Sequence, residues 1–430
     1  MQSRTGWLLG ILLLAFVLRG ATAMVLQWQL DQPPKRLDLI EGDASGYLLL
    51  SDRIANGESY EIYAPPRRVL RMPGFPVLLA FVRLFTDNLL YLRLALCVVG
   101  TVACGLVYWL GRDLVGVDIG LAAAGLGAVS PIFIGFTPLI LSETLFAATL
   151  VASLIPLAPL FRRHMCAKVS AKGDTAPAVR GAWLSAVAGA LMGVACYVRP
   201  SWLLAAPMFA GLLVLVSVDK NRAAIHGAVL VAAVFLCLLP WGLRNRAVTG
   251  HFVLTTLWSG PSLYDGLHPG ATGESDMRFF DEDNLLSKMS EYDVNRHYSQ
   301  AAWKFVRENP GRTFDLALAK FGRFWKPWPS APQFDRWWAK AAVSAWFIPL
   351  VVLSLIGISR LGDNWPALLL CVSPIVYFTA IHLLFVSSLR YRLPAEYPLL
   401  VPAAAGLWTC VEWWRARTPQ PLGHQFADGG

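Results

Sequence analysis

Charge is scarce in this sequence. Asp, Glu, Lys and Arg make up 15% of it against 56% hydrophobic residues, a balance that soluble domains do not tolerate. No Gly-rich loop ending in Lys-Ser or Lys-Thr occurs, which argues against ATP-driven transport. No Gly-x-Ser-x-Gly turn occurs either, which argues against a hydrolase. Cysteine is absent from every segment expected outside the membrane. Cys97, Cys104, Cys166, Cys196, Cys237, Cys371 and Cys410 all fall in expected spans or in a cytoplasmic loop, so no exported disulfide framework is expected. Cys/His spacing of the metal-binding kind is missing, and His251, His268 and His297 share no ligand spacing. There is no internal repeat, and no low-complexity tract apart from the linker 161–180.

What is present instead is a series of apolar runs, each long enough to cross a hydrocarbon core of roughly 30 Å. They predict an all-α polytopic membrane protein with about ten transmembrane helices. The expected spans are 7–26, 89–110, 118–136, 138–160, 181–197, 200–218, 225–243, 341–359, 365–387 and 395–414. Pro138, Pro156 and Pro200 blur the ends of the fourth to sixth. Arg4, Arg112, the cluster Arg162, Arg163, Lys168, Lys172 and Arg180, then Lys220, Arg222, Arg360, Arg415 and Arg417 collect on one side. That side is cytoplasmic by the positive-inside rule. Residues 1–414 then form one transmembrane domain with a cytoplasmic tail, 415–430, and two long outside segments, 27–88 and 244–340. Ala21-Thr22-Ala23 follows the first apolar run as a signal-peptidase site would, but a retained anchor is the expected form. The net charge of +9 reads as a topology signal. The basic residues form no aromatic-interleaved patch, so no nucleic-acid partner is expected; the expected surroundings are the plasma membrane, the inner membrane in a bacterium.

The first outside segment holds Glu41-Gly42-Asp43-Ala44-Ser45-Gly46-Tyr47. Tyr47, Leu50 and Ile54 share a helical face, and Asn56-Gly57 supplies a stop. This predicts a short interfacial helix. Pro73-Gly74-Phe75-Pro76 then opens a second apolar helix near 76–86, too short to span. In the second outside segment, Asn309-Pro310 reads as a cap with a first-turn proline. The helix it opens carries Phe314, Leu318, Phe321 and Trp325 on one face, with Arg312, Lys320 and Arg323 elsewhere.

Several arginines defy the positive-inside trend. Arg67, Arg68, Arg71, Arg199, Arg244, Arg246, Arg390 and Arg392 fall in outside loops or at outside ends of spans, where guanidinium groups can bind phosphate in bidentate fashion. Snorkelling to headgroups is the structural alternative for any single one. Arg390-Tyr391-Arg392 crowds two of them into a short turn. Arg19 lies roughly 10 Å inside the first span by helix rise, an expensive position. Asp43, with Glu41 beside it, is the best general-base candidate. Glu143 follows near the outer end of a span, where an unpaired carboxylate is costly. Asp281-Glu282-Asp283 reads as a solvated acidic run.

In their order, the acidic motif, the Pro-Gly-Phe-Pro element, Ser142-Glu143, Arg199-Pro200, Arg244-Asn245, the Asn309-Pro310 helix and Arg390-Tyr391-Arg392-Leu393-Pro394 carry a resemblance. Together they resemble the GT-C-fold membrane glycosyltransferases of the protein O-mannosyltransferase and aminoarabinose-transferase (ArnT-like) type, over residues 7–414. The resemblance implies a polyprenyl-phosphate-linked sugar as donor, a site at the outer membrane face and inversion at the anomeric carbon. It implies Asp43 as the catalytic carboxylate, Glu143 as a second functional acid and Arg71 as the basic residue after the loop. Arg199, Arg244, Arg390 and Arg392 join Arg71 as donor-phosphate candidates, and Glu41, Tyr47, Arg67, Arg68 and Tyr391 are further substrate-site candidates. No metal ligand and no cofactor are expected, with a divalent cation left open. The sequence departs from the protein mannosyltransferases in having Gly42-Asp43-Ala44 where they carry an adjacent Asp-Glu pair, and no large extra domain follows the last span within these residues. The acceptor therefore stays open between glycan, lipid and protein. The rival readings are a transporter or flippase of lipid-linked sugars, an oligosaccharide polymerase or ligase using a diphosphate-linked donor, and a membrane scaffold. A transporter would favour paired half-helices and an internal repeat, and neither is found.

Overall fold

The computed structural model describes residues 2–165, 176–330 and 334–417. Cys166, Lys168, Lys172 and most of the expected tail lie outside the described residues. The described residues form helices joined by irregular segments, with one isolated β-bridge between Ile62 and Arg67. It runs α1 (Gln2–Asp31), α2 (Glu41–Ala55), α3 (Gly74–Arg83), α4 (Leu89–Leu114), α5 (Val117–Val129) and α6 (Pro131–Phe136). Next come α7 (Glu143–Leu154), α8 (Leu157–Met165), α9 (Ala176–Val198), α10 (Ala205–Val216) and α11 (Lys220–Thr249). The remainder is α12 (Ser259–Gly266), α13 (Arg278–Asp283), α14 (Glu291–Glu308), α15 (Pro310–Trp325), α16 (Trp337–Arg360), α17 (Trp365–Leu384) and α18 (Leu389–Arg417).

Seven helices among the described residues are long and apolar enough to cross a membrane, and three shorter apolar helices accompany them. The all-α polytopic architecture stands, with revised element ends. The expected span 118–136 is two helices, because Ser130 caps a new start at Pro131 by accepting from the Phe133 amide. The expected span 138–160 begins only at Glu143 and is interrupted before Leu157. This places Glu143 at a helix N-terminus, where the backbone dipole favours a carboxylate. The expected span 395–414 lies within α18, which is not among the seven and carries Pro394, Pro398 and Pro402 inside.

Helix α18 is nonetheless the centre of the bundle, buried from Leu393 to Gly406. It meets α16 through two glycines. A Cβ on Gly357 would lie 1.8 Å from the Pro402 carbonyl oxygen, and one on Gly406 would lie 2.0 Å from that of Leu353. The two backbones therefore touch, as small residues permit where lipid offers no hydrophobic drive for helix association. Charge tethers one end of the bundle, where Arg4 pairs with Asp118 at 3.3 Å and Arg360 with Glu412 at 2.7 Å. Glu143, Arg199 and Arg390 lie at the other ends of their helices.

Loops at that second end are held by a buried ion pair. Arg93 and Asp38 are both fully buried and 2.9 Å apart. Arg93 also donates to the Pro138 and Leu37 carbonyls and to Gln27, while Asp38 accepts from the Ile140 amide at 3.0 Å. One guanidinium thus joins α1, α4 and the segments leading into α2 and α7. Helix α2 does not simply lie on the bilayer as expected: Ala44, Gly46, Leu48, Leu50 and Ser51 are buried, with Ala44 and Leu48 in the main core. It ends at Asn56-Gly57 as expected, with Gly57 at φ 69°. The expected apolar face of α15 points outward, Phe314 and Leu318 being 64% and 57% exposed. Its buried face carries Leu316, Lys320 and Phe324. Lys320 donates to the Leu383 and Leu384 carbonyls, satisfying the open end of α17, and burial pushes its ammonium pKa down to about 8.

Gly357→Ala should force α16 from α18 and destabilise the protein by at least about 3 kcal/mol, seen as a lower unfolding temperature in detergent. Gly322→Ala, on the open side of α15 where nothing lies within 4 Å, should leave that temperature unlowered.

Candidate active site

Five charged side chains form a chain at the loop-bearing end of the bundle. Arg71 Nη2 donates to Asp43 Oδ1 at 2.9 Å, and Arg390 Nη2 donates to Asp43 Oδ2 at 2.5 Å. Arg390 Nε also lies 2.7 Å from Glu143 Oε1, which pairs with Arg199 Nη1 at 2.8 Å. Each residue is delivered by an element end. Asp43 stands in the first turn of α2, Glu143 opens α7, Arg199 follows α9 and Arg390 opens α18. Arg71 precedes α3, whose first residue Gly74 admits no side chain: a Cβ there would lie 2.7 Å from the Tyr197 carbonyl. That contact seats the Pro73-Gly74-Phe75-Pro76 element on the end of α9, beside Arg199.

The five differ in exposure. Glu143 is 1% exposed, whereas Asp43 keeps 27% of its side chain accessible and the three arginines keep similar, smaller shares. A ligand from solvent therefore meets Asp43 and the arginines before Glu143. Burial alone would raise the Asp43 pKa, but the charges of Arg390 and Arg71 outweigh it and hold the carboxyl well below the usual carboxylate range. Three guanidinium groups against two carboxylates leave one positive charge in excess.

Two tyrosines frame this chain. The Tyr47 hydroxyl donates to Ser142 Oγ at 3.2 Å, its ring lies 4.4 Å below the Arg71 guanidinium, and Phe75 packs edge-on against it. Tyr391 faces Arg199 and Arg390 at 5.6 Å and 5.3 Å, and stacks on His382 at 4.7 Å. The sequence candidates Asp43, Glu143, Arg71, Arg199, Arg390, Tyr47 and Tyr391 are thus brought together.

Other candidates are committed elsewhere. Arg392, expected among the phosphate ligands, is fully buried; it pairs with Glu396 and donates to the Phe324 and Lys326 carbonyls. Successive residues on a helix point in different directions, so Arg390 and Arg392 part company. Arg244, also expected at phosphate, donates to the Tyr60 and Arg68 carbonyls and lies over Trp241, which fixes the 60–71 loop. Arg67 is caged by Tyr63, Trp258 and Phe280. Arg68 pairs with Glu61, and its amide donates to Glu291. Glu41 pairs with Arg36 in an exposed position. Arg19 donates to the Gly127 and Ala128 carbonyls at the end of α5, a structural assignment. Sequence reasoning missed Asp38, Arg93, Tyr60 and His382, and it singled out Ser142 only as part of the Ser142-Glu143 motif. Arg93 was legible as an arginine inside an expected span; the others carried no signal of their own. Among the described residues no group of three or more His, Cys, Asp or Glu side chains is placed to hold a metal ion.

No protein-family model and no curated protein matches this sequence. Solved structures do. The archaeal oligosaccharyltransferase AglB from Archaeoglobus fulgidus, in complex with an inhibitory peptide and a dolichol-phosphate, aligns with a TM-score of 0.60 at 14% identity, over 97% of this chain and 52% of that one. The A. fulgidus oligosaccharyltransferase tethered to an acceptor peptide aligns with a TM-score of 0.58 at 16% identity, over 95% and 50%. ArnT from Cupriavidus metallidurans bound to undecaprenyl phosphate aligns at 0.43 and 15% identity, over 94% and 78%. The present chain spans about half the length of the archaeal structures. At these identities the likeness establishes the fold, and that fold is GT-C, as the sequence motifs implied.

Glu143→Gln should leave Arg199 and Arg390 short of one carboxylate and destabilise the protein by about 3–5 kcal/mol. Thermal unfolding of the purified variant measures this.

Proposed function

We propose that this GT-C-fold membrane protein is a glycosyltransferase that moves a sugar from a polyprenyl-phosphate donor to an acceptor hydroxyl at the extracytoplasmic face. The observation that carries the reading is Asp43, held between Arg71 and Arg390 as the most accessible member of the charge cluster. The site lies at the bundle end opposite the arginines of the positive-inside side, which supports an extracytoplasmic location. Outside the membrane no nucleotide sugar is at hand, so an activated donor must arrive on lipid.

The chemistry follows from the groups present. The acceptor oxygen attacks the anomeric carbon while the bond from that carbon to the phosphate oxygen breaks, through an oxocarbenium-like state. Asp43 takes the hydroxyl proton, and a single displacement inverts the anomeric centre. Polyprenyl phosphate leaves with both electrons of the broken bond, and Arg71, Arg390 and Arg199 stabilise the charge it gains. The single excess positive charge of the cluster suits a phosphodiester monoanion better than a diphosphate, which favours a monophosphate-linked donor over that of a polymerase or ligase. Arginines in these positions supply the positive charge that a metal ion would otherwise provide, so turnover is expected to persist with a chelator present.

The resting geometry has a consequence for the order of events. A carboxylate with both oxygens facing guanidinium groups is a poor base. Donor phosphate must compete with Asp43 for Arg71 and Arg390. As it draws them away, the carboxyl loses the charges that depressed its pKa and can accept a proton. The donor therefore binds first and switches on the base.

Purified wild type offered radiolabelled polyprenyl-monophosphate sugars with envelope acceptors should move label off the lipid. Asp43→Asn should lose at least about a hundredfold in rate while remaining folded, and retained activity would reject the base assignment. Label that crosses a vesicle bilayer but stays on the lipid would favour a flippase. In Arg390→Gln a charge that depresses the Asp43 pKa is gone, so that pKa rises. The ionised form is then lost at higher pH on acidification, and the acid limb of the kcat/KM profile should move to higher pH than in wild type.

A further inference from the structure

Tyr63 is a residue that the reaction above leaves unused and that the protein keeps at a cost. Its backbone sits at φ 70°, in the left-handed region that is unfavourable for a bulky side chain. The residue is also 49% exposed, although it belongs to an outer loop and not to an apolar helix. It stands at the tip of a hairpin whose neighbouring residues Ala64, Pro65 and Pro66 are exposed as well. Strained backbone of this kind gathers where a side chain must be presented in one place.

The hairpin is firmly mounted. Ile62 and Arg67 exchange backbone hydrogen bonds of 3.1 Å and 2.8 Å across its base. Arg244 donates to the Tyr60 and Arg68 carbonyls at 3.0 Å and 2.7 Å, and Glu291 accepts from the Arg68 and Val69 amides. The Arg67 guanidinium lies 5.2 Å from the centre of the Tyr63 ring, and 5.1 Å and 4.6 Å from those of Trp258 and Phe280. Arg67 thus props the Tyr63 ring on the second outer segment. A side chain already held in place has little freedom left to lose when a ligand binds.

The Tyr63 hydroxyl reaches the charge cluster. A Cβ on Gly46 would lie 3.3 Å from Tyr63 Oη and 3.3 Å from Arg71 Nε, so both side chains meet the same bare position on α2. Gly46 stands three residues after Asp43, on the same helical face. Arg71 gives Nη2 to Asp43, while its buried Nε–H has no acceptor among the described residues. A group that bonds Arg71 therefore has Tyr63 as a neighbour. Outer-loop residues bound this side of Arg71, which suits the polar head of a lipid-linked donor and not its chain. Beyond the phosphate that head is a sugar. A sugar ring offers an apolar C–H face to an aromatic ring and hydroxyls to a phenol.

We propose that Tyr63 contacts the donor's sugar, its ring packing on the sugar's apolar face and its hydroxyl bonding a sugar hydroxyl while Arg71 takes the phosphate. The word donor rests on the glycosyltransferase reading, so the test reads binding and not turnover. Phosphorus NMR line broadening on the full purified chain in detergent would titrate inorganic phosphate and the 1-phosphates of glucose, mannose and galactose. Wild type should bind at least one sugar phosphate about tenfold more tightly than inorganic phosphate. Tyr63→Asn, whose side chain tolerates left-handed backbone, should erase that advantage. Its affinity for inorganic phosphate and its unfolding temperature should stay near those of wild type. Tyr63→Phe should keep part of the advantage through its ring, and Arg71→Gln should weaken all four ligands. An advantage that survives in Tyr63→Asn, or its absence in wild type, would overturn the proposal. Equal loss in Tyr63→Phe and Tyr63→Asn would overturn the packing role of the ring. Selective binding without label transfer would sink the transferase reading alone, and label transfer without a sugar advantage would sink the Tyr63 assignment alone.

Discussion

Both oxygens of the Asp43 carboxylate are satisfied by guanidinium groups, and those groups come from opposite ends of the chain. Arg71 lies 28 residues away and Arg390 lies 347 away. An isolated carboxylate at a membrane face would cost several kcal/mol to desolvate. Holding it there requires α2, the approach to α3 and the start of α18 to arrive at one point together. Glu143 and Arg199 extend the same requirement to α7 and α9. This end of the bundle is therefore organised by charge neutralisation.

The arrangement depends on a second, sealed interaction. Arg93 and Asp38 carry no exposed surface, and their further bonds reach the segments just before α2 and α7. Such a pair adds little net stability over apolar side chains of the same volume. Its physical contribution is geometric: it holds the two irregular segments that lead to Asp43 and Glu143. Irregular backbone near a membrane persists only where its polar groups are paired within the protein, and Arg93 donates to the Leu37 and Pro138 carbonyls there.

The outward arginines divide by what their elements leave for them to touch. Arg71, Arg199 and Arg390 meet carboxylates in a cleft with access to solvent. Arg67 and Arg244 meet rings and carbonyl groups, and Arg392 meets carbonyls and a buried carboxylate, Glu396; all three serve as struts. The same residue type thus does electrostatic work in one place and cross-linking in another. A guanidinium can meet a ligand only where it remains accessible, so a count of arginines at this end of the bundle overstates how many are available to one.

Much of this was legible in the amino-acid order. Apolar run lengths predicted the polytopic helical bundle, because a bilayer of fixed thickness demands them. Pro73-Gly74-Phe75-Pro76, Asn56-Gly57 and Asn309-Pro310 marked helix boundaries, because Pro and Gly act on the local backbone. Glu143 stood out because a carboxylate near the end of an apolar run is costly, and Asp43 as the acid of the loop motif after the first span. Pairing was not legible. Nothing local distinguishes Arg390 from Arg392, and their fates diverge through the direction each takes off one helix. Lys320, expected on a polar face, is buried because the end of α17 offers it two carbonyl oxygens. Asp38 carried no sequence signal, since its importance comes wholly from Arg93, 55 residues away. Sequence alone determined that long apolar helices form and which side chains are too expensive to be idle, as both follow from local geometry and solvation. Only the tertiary structure decided which charge meets which, because that depends on distances between elements far apart in the chain.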